Sequence, residues 1–79
     1  MKITVKLFAN LRELLPEGGD GGSASMEVAD GTTVGRVLDG LQVPGNMKLL
    51  ILVNSAHADK DRVLEPGDVL AVFPPIAGG

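Results

Sequence analysis

Lys2-Ile3-Thr4-Val5-Lys6-Leu7-Phe8 alternates polar and apolar residues, the period of a strand with one buried face. Ile3, Val5 and Leu7 turn to one side; Lys2, Thr4, Lys6 and Phe8 turn to the other. A second run, Val69-Leu70-Ala71-Val72-Phe73, sits at the far end of the sequence. There Leu70 and Val72 are the inward pair, which sends Ala71 and Phe73 outward. Pro74-Pro75 stops this strand, since proline has no N–H to give to a ladder.

Between these two runs lie the elements that set the architecture. Leu11, Leu14 and Leu15 recur at helical spacing in a short stretch closed by Pro16. Glu17 to Ser23 reads as a flexible glycine-rich loop, and Ser25 to Ala29 as a second strand with Met26 and Val28 inward. Asp30-Gly31 marks a turn, and Thr32 or Thr33 can cap the helix that follows. Val34, Val37, Leu38 and Leu41 form one apolar helix face, with Pro44-Gly45 as its stop. Gly35 and Gly40 weaken this helix, so packing must hold it. Leu49 to Asn54 is a third strand, apolar enough to be central, and residues 56 to 59 form a short edge strand. Leu64-Glu65-Pro66-Gly67-Asp68 is a tight turn. The order predicts an α+β fold: one mixed sheet of four or five strands, one main helix across one face, and the first and last strands adjacent at the centre.

The chain has 79 residues, 44% of them hydrophobic, and a net charge of −3. That is one small domain with one core. The absence of cysteine rules out a disulfide framework and thiol chemistry of its own; it fits a reducing compartment, and a cytoplasmic protein is expected. No leader is expected, because Met1 runs straight into the first strand. The apolar run Leu49 to Val53 is far too short to span a membrane. Mild acidity argues against nucleic acid or an anionic membrane as partner.

Little here supports catalysis within the chain. Asp59, Asp61, Glu65 and Asp68 are read as solvated turn residues, so no metal site is expected. His57 has no serine or cysteine constellation and is read as a surface residue. Gly18-Gly19-Asp20-Gly21-Gly22 lacks the Lys-Ser/Thr ending of a phosphate loop. Asn54 is read as a plain strand end. What remains is the pair of aromatic residues and the end of the sequence. If the first and last strands are parallel neighbours, Phe8 and Phe73 share one end of the outer face and make an apolar docking patch. Pro74-Pro75 then favours an extended path, and residues 74 to 79 would reach about 20 Å at roughly 3.3 Å per residue. Gly78-Gly79 adds a carboxylate on a backbone without Cβ atoms, slim enough for a narrow active site.

These residues resemble the sulfur-carrier family of ubiquitin-like β-grasp proteins, and most of all its MoaD type, the small subunit of molybdopterin synthase. The resemblance rests on Leu7-Phe8-Ala9, Leu11-Arg12-Glu13-Leu14, Val53-Asn54, Leu64, Gly67-Asp68 and Phe73-Pro74-Pro75-Ile76-Ala77-Gly78-Gly79. It implies a β-grasp domain over residues 1–73 and an extended flexible tail over 74–79. It also implies a protein that is no enzyme by itself and holds no cofactor. An E1-like adenylyltransferase would use ATP to activate Gly79, and a sulfur donor would convert the adenylate to a thiocarboxylate. The large synthase subunit would then pass that sulfur to a pterin. Gly79 would carry the sulfur, Gly78 and Ala77 would thread the channel, and Phe8, Phe73, Pro74, Pro75 and Ile76 would dock the partners. Thiamine-pathway carriers of the ThiS type share Gly-Gly but usually lack the double proline. A carrier for thiazole or amino-acid synthesis, a protein modifier joined through Gly79, and a binding module with an inert tail are the alternatives. His57 departs from the family, which tends to place an apolar residue there on the partner-facing surface.

Overall fold

The computed structural model describes residues 1–15 and 21–75. Five strands form one sheet: β1 (Lys2–Leu7), β2 (Ser23–Glu27), β3 (Leu50–Val53), β4 (Ala56–His57) and β5 (Val69–Phe73), in the order β2-β1-β5-β3-β4. β1 and β5 run parallel, with Val5 level with Leu70 and Leu7 with Val72. The other neighbours are antiparallel. The two strands from opposite ends of the sequence are thus adjacent, as the order of elements predicts, and β5 lies in the middle of the sheet.

One face of the sheet is covered by α1 (Val34–Gly40). Its buried residues Val34, Val37 and Leu38, with Leu41 at its end, join Ile3, Val5 and Leu7 of β1, Ile51 and Val53 of β3, and Leu70 and Val72 of β5 in one core. Each such side chain taken from water is worth roughly 1.5–3 kcal/mol, which outweighs the helix-weakening glycines. Thr33 caps the helix by accepting from the Arg36 N–H at 3.3 Å. The first two helix N–H groups are satisfied from outside: Val34 N–H donates to the Arg62 carbonyl and Gly35 N–H to the Lys60 carbonyl, each at 2.9 Å. Gly35 is glycine because of this approach; a Cβ there would sit 3.3 Å from the Lys60 oxygen.

Several boundaries differ from the sequence reading. α1 stops at Gly40, before Pro44, because Gln42 turns left-handed (φ +65°). Val43 N–H then donates to the Leu38 carbonyl and Gln42 N–H to that of Asp39, both at 3.0 Å, which closes a Schellman cap and buries Val43 beside Leu38. The Leu11 segment is a 3-10 helix, Ala9–Leu14, with Leu11 buried; so short a stretch favours the tighter turn, and Pro16 lies outside the described residues. β2 begins at Ser23 rather than Ser25, since its register follows β1, with Ser23 opposite Lys6 and Glu27 opposite Lys2. β3 ends at Val53. Asn54 and Ser55 both have positive φ (52° and 72°) between the paired residues Val53 and Ala56, the two-residue hairpin geometry that matches strand twist.

Candidate functional site: an aromatic pair at the base of the tail

The uncovered face of the sheet is built by the outward half of each alternation. The β1–β5 register puts Phe8, directly after β1, level with Phe73. Phe8 is extended (φ −116°, ψ 158°) and its N–H still donates to the Val72 carbonyl at 3.2 Å, so its side chain keeps the outward sense of the strand. The two rings stack with centroids 4.1 Å apart and planes 10° from parallel. Antiparallel pairing then sets Leu50 opposite Phe73. Leu50 is 42% exposed and Phe8 37%. Three apolar side chains from three neighbouring chain segments therefore meet at one end of the sheet. Ala71 and Leu52 continue the apolar surface along the same face. The sequence reading named Phe8 and Phe73 and missed Leu50, whose place follows only from the register of β3 on β5.

The chain leaves this patch through Pro74 and Pro75. Phe8, Ala9, Asn10, Leu50, Phe73, Pro74 and Pro75 line a groove of about 700 Å³. Pro74 is half-buried and Pro75 exposed. Ala9 turns the chain out of β1 with φ +54°, an uncommon conformation for alanine, and so shapes one wall of the groove. The remaining sequence-predicted positions, Ile76, Ala77, Gly78 and Gly79, lie outside the described residues. The glycine-rich loop does so in part: residues 18–20 are not described, while Gly21 and Gly22 take positive φ before β2.

His57 is exposed on β4 opposite Leu52, on the uncovered face at the sheet edge, with β3 and β5 between it and β1. Asp59, Asp61 and Glu65 are exposed, as turn residues should be. Asp68 is not. It is only 5% exposed, its Oδ1 accepting from Asn54 Nδ2 and its Oδ2 from the Glu65 N–H, both at 2.8 Å. The solvated-turn reading of Asp68 is therefore wrong, because the turn folds its carboxylate inward onto Asn54.

What the described surface offers at this end of the sheet is an exposed apolar patch beside Pro74 and Pro75. No helix among the described residues is long and apolar enough to cross a membrane. Residues 5–79 match the model of the ThiS family. No match was found among curated proteins. Among solved structures, the chain is similar to the small archaeal modifier protein 1 of H. volcanii (29% identity over 95% of this chain and 98% of that one, TM-score 0.75). It is also similar to a putative molybdopterin converting factor subunit 1 from Pyrococcus furiosus (28% identity, 95% and 98% covered, TM-score 0.72). Its fold is shared, at 20% identity with both chains fully covered and a TM-score of 0.61, by a chain in the complex of subunits 1 and 2 of the molybdopterin-converting factor from Helicobacter pylori. With one mixed sheet in the order β2-β1-β5-β3-β4 and one helix across it, the fold is the ubiquitin-like β-grasp, and the chain belongs to the ThiS family of ubiquitin-like sulfur carriers.

Proposed function

We propose that the protein carries sulfur on Gly79 for molybdopterin synthesis, as the small subunit of a molybdopterin synthase in the cytoplasm. The observation that carries this reading is the Phe8–Phe73–Leu50 patch at the exit of Pro74-Pro75 in a member of the ThiS family. A patch at that place holds a partner while the last residues enter its active site. Similarity to a molybdopterin converting factor subunit 1 and the double proline favour a pterin as acceptor.

The chemistry starts from a carboxylate, a poor acyl donor because its oxygen leaves badly. An E1-like adenylyltransferase lets a Gly79 carboxylate oxygen attack the α-phosphorus of ATP, releasing pyrophosphate and forming an acyl-adenylate. A sulfide-level donor sulfur attacks the activated carbonyl and AMP leaves with the acyl oxygen, giving the thiocarboxylate directly; a persulfide donor would instead leave an acyl disulfide, whose S–S bond a second thiol attacks to release the thiocarboxylate and form a disulfide. The chain contributes shape. Gly78 and Gly79 keep the entering backbone slim, Ala77 adds only a methyl group, and Pro74-Pro75 fixes two φ angles so that less freedom is lost on threading. Phe8, Phe73, Pro74, Pro75 and Ile76 dock the synthase large subunit and the activating enzyme in turn.

Similarity to a small archaeal modifier protein favours one second reading, attachment through Gly79 to lysines of other proteins. Incubation with an E1-like adenylyltransferase, ATP and a sulfur source, read by intact mass, separates the two. A gain equal to one oxygen-to-sulfur exchange is expected for the carrier, and transfer of that sulfur to a pterin by the large subunit completes the test. High-mass adducts cleavable at isopeptide bonds, without sulfur exchange, would replace the carrier reading by the modifier one.

A further inference from the structure

Charge is unevenly placed on this acidic chain. The net charge is −3, yet among the described residues two exposed cations, Lys6 and Arg12, border the hollows that meet at the aromatic pair. Lys6 is exposed on the outward side of β1, beside Ala71 of β5 and opposite Ser23 of β2. It borders two hollows that meet at Phe8. One is shared with Phe73, Ala71 and Leu52; the other is shared with Arg12, Gly22 and Ser23. Arg12 is exposed but not loose. Its side chain lies over Gly22, where a Cβ would come within 3.3 Å of Arg12 Nε and 3.2 Å of the Leu7 carbonyl oxygen. Glycine at 22, with φ +84°, thus leaves room for the Arg12 side chain, which lines the same hollow as Lys6.

Carboxylates are elsewhere among the described residues. Glu27 is the one acidic residue on the outward side of the described strands, and it stands opposite Lys2 at the far end of β1. Glu13 follows Arg12 on the 3-10 helix, about 120° around its axis. Asp39 is exposed on α1, Asp59 and Asp61 are exposed in the loop after β4, Asp30 lies near the N-terminal ammonium, and Glu65 and Asp68 belong to the turn that bonds to Lys2 and Thr4, at the end of β1 away from Phe8. Among the described residues, no ion pair involves Lys6 or Arg12. A partner that covers Phe8 and Phe73 must also desolvate or pair these two cations.

We infer that the tail-receiving face of the E1-like adenylyltransferase presents an apolar depression for Phe8, Phe73 and Leu50 and, beside it, carboxylates that meet Lys6 and Arg12. This rests on the carrier reading and adds the chemistry of the partner surface. Apolar contact supplies affinity; the pairing of Lys6 and Arg12 sets how the domain is turned when the tail enters, since complementary charge governs encounter and orientation more than final affinity.

The test measures ATP-dependent pyrophosphate release by the adenylyltransferase encoded in the same genome, with the full chain as substrate, at low and high salt. Lys6→Glu and Arg12→Glu are expected to raise KM about three- to tenfold at low salt with kcat unchanged, as reversal of exposed charges at an interface does. Lys6→Gln should fall between these variants and the wild type. The differences should shrink at high salt, where exposed charges are screened. Arg36→Glu, on the exposed side of α1, is the control and should behave as wild type. Equal KM values for Lys6→Glu, Arg12→Glu and Arg36→Glu at low salt overturn the inference while leaving the carrier intact. Absence of pyrophosphate release with the wild-type chain overturns the carrier reading and the inference together.

Discussion

Asn54 and Asp68 hold each other across the two central turns of the sheet, the Asn54 amide donating to the Asp68 carboxylate at 2.8 Å. The same Asn54 side chain accepts from the Val69 N–H at 2.9 Å, and its own N–H donates to the Val69 carbonyl at 2.9 Å. One residue with φ +52° thereby joins the end of β3 to the start of β5. Asn54→Ala leaves a buried carboxylate oxygen without its donor, at a cost of about 1–3 kcal/mol. Urea denaturation should show that loss, and the melting temperature should fall by about 4–8 °C per kcal/mol. Asn54→Asp should be worse at neutral pH, where two carboxylates would face each other. Part of that loss should return as the pH is lowered, because a protonated carboxyl can donate where the amide did.

The two helix glycines should respond in opposite directions. At Gly40 an added Cβ would meet nothing within 4 Å, and the backbone has no positive φ, so Gly40→Ala should stabilise by about 0.5–1 kcal/mol. Gly35→Ala gains the same propensity but forces Lys60 away from the helix N-terminus, and should show no gain or a net loss. Chemical denaturation of both variants checks this.

Gln42 occupies a left-handed position that glycine fills more easily. Gln42→Gly should raise stability by about 0.5–1 kcal/mol, read as a shift in denaturation midpoint with an unchanged slope.

Phe8 and Phe73 should be coupled in a double-mutant cycle by about 0.5–1.5 kcal/mol, the worth of a stacked aromatic pair beyond its buried area. Because Phe8 is exposed and Phe73 half-buried, Phe73→Ala should weaken binding to the synthase large subunit more than it weakens folding. A calorimetric titration and a melting curve on the same variant compare the two; a folding loss larger than the binding loss would contradict the docking role.

Removing Gly79 should abolish sulfur incorporation by intact mass and leave the melting temperature unchanged, since the core is built from residues 3 to 72. Retained molybdopterin formation by the truncated chain would end the carrier reading.

The features legible in the sequence are those that depend on periodicity. The alternation of Lys2 to Phe8 and the spacing Val34, Val37, Leu38, Leu41 report which side of an element is buried, and the buried side chains agree. The alternation of Lys2 to Phe8 and of Val69 to Phe73 gives the outward sense of the two phenylalanines, and the order of the elements suggests β1 beside β5, which the register bears out. What was not legible depends on register and on backbone sign. Leu50 joins the patch because β3 pairs with β5 at Phe73, and no local pattern states that pairing. Asp68 looks like any turn carboxylate until Pro66-Gly67, with Gly67 at φ +85°, folds it back onto Asn54. The helix ends well before Pro44 because Gln42 takes a conformation that its identity does not advertise.

The stacked rings come from positions 8 and 73, almost the whole chain apart, and they meet only after β5 has been inserted between β1 and β3. The pair exists only where β1 and β5 stand in native register, with Leu7 level with Val72. The patch is therefore a built-in certificate of completion. A full-length chain whose β5 is misregistered keeps its tail but has no aromatic pair beside it, and an activating enzyme that reads the pair would consume no ATP on it.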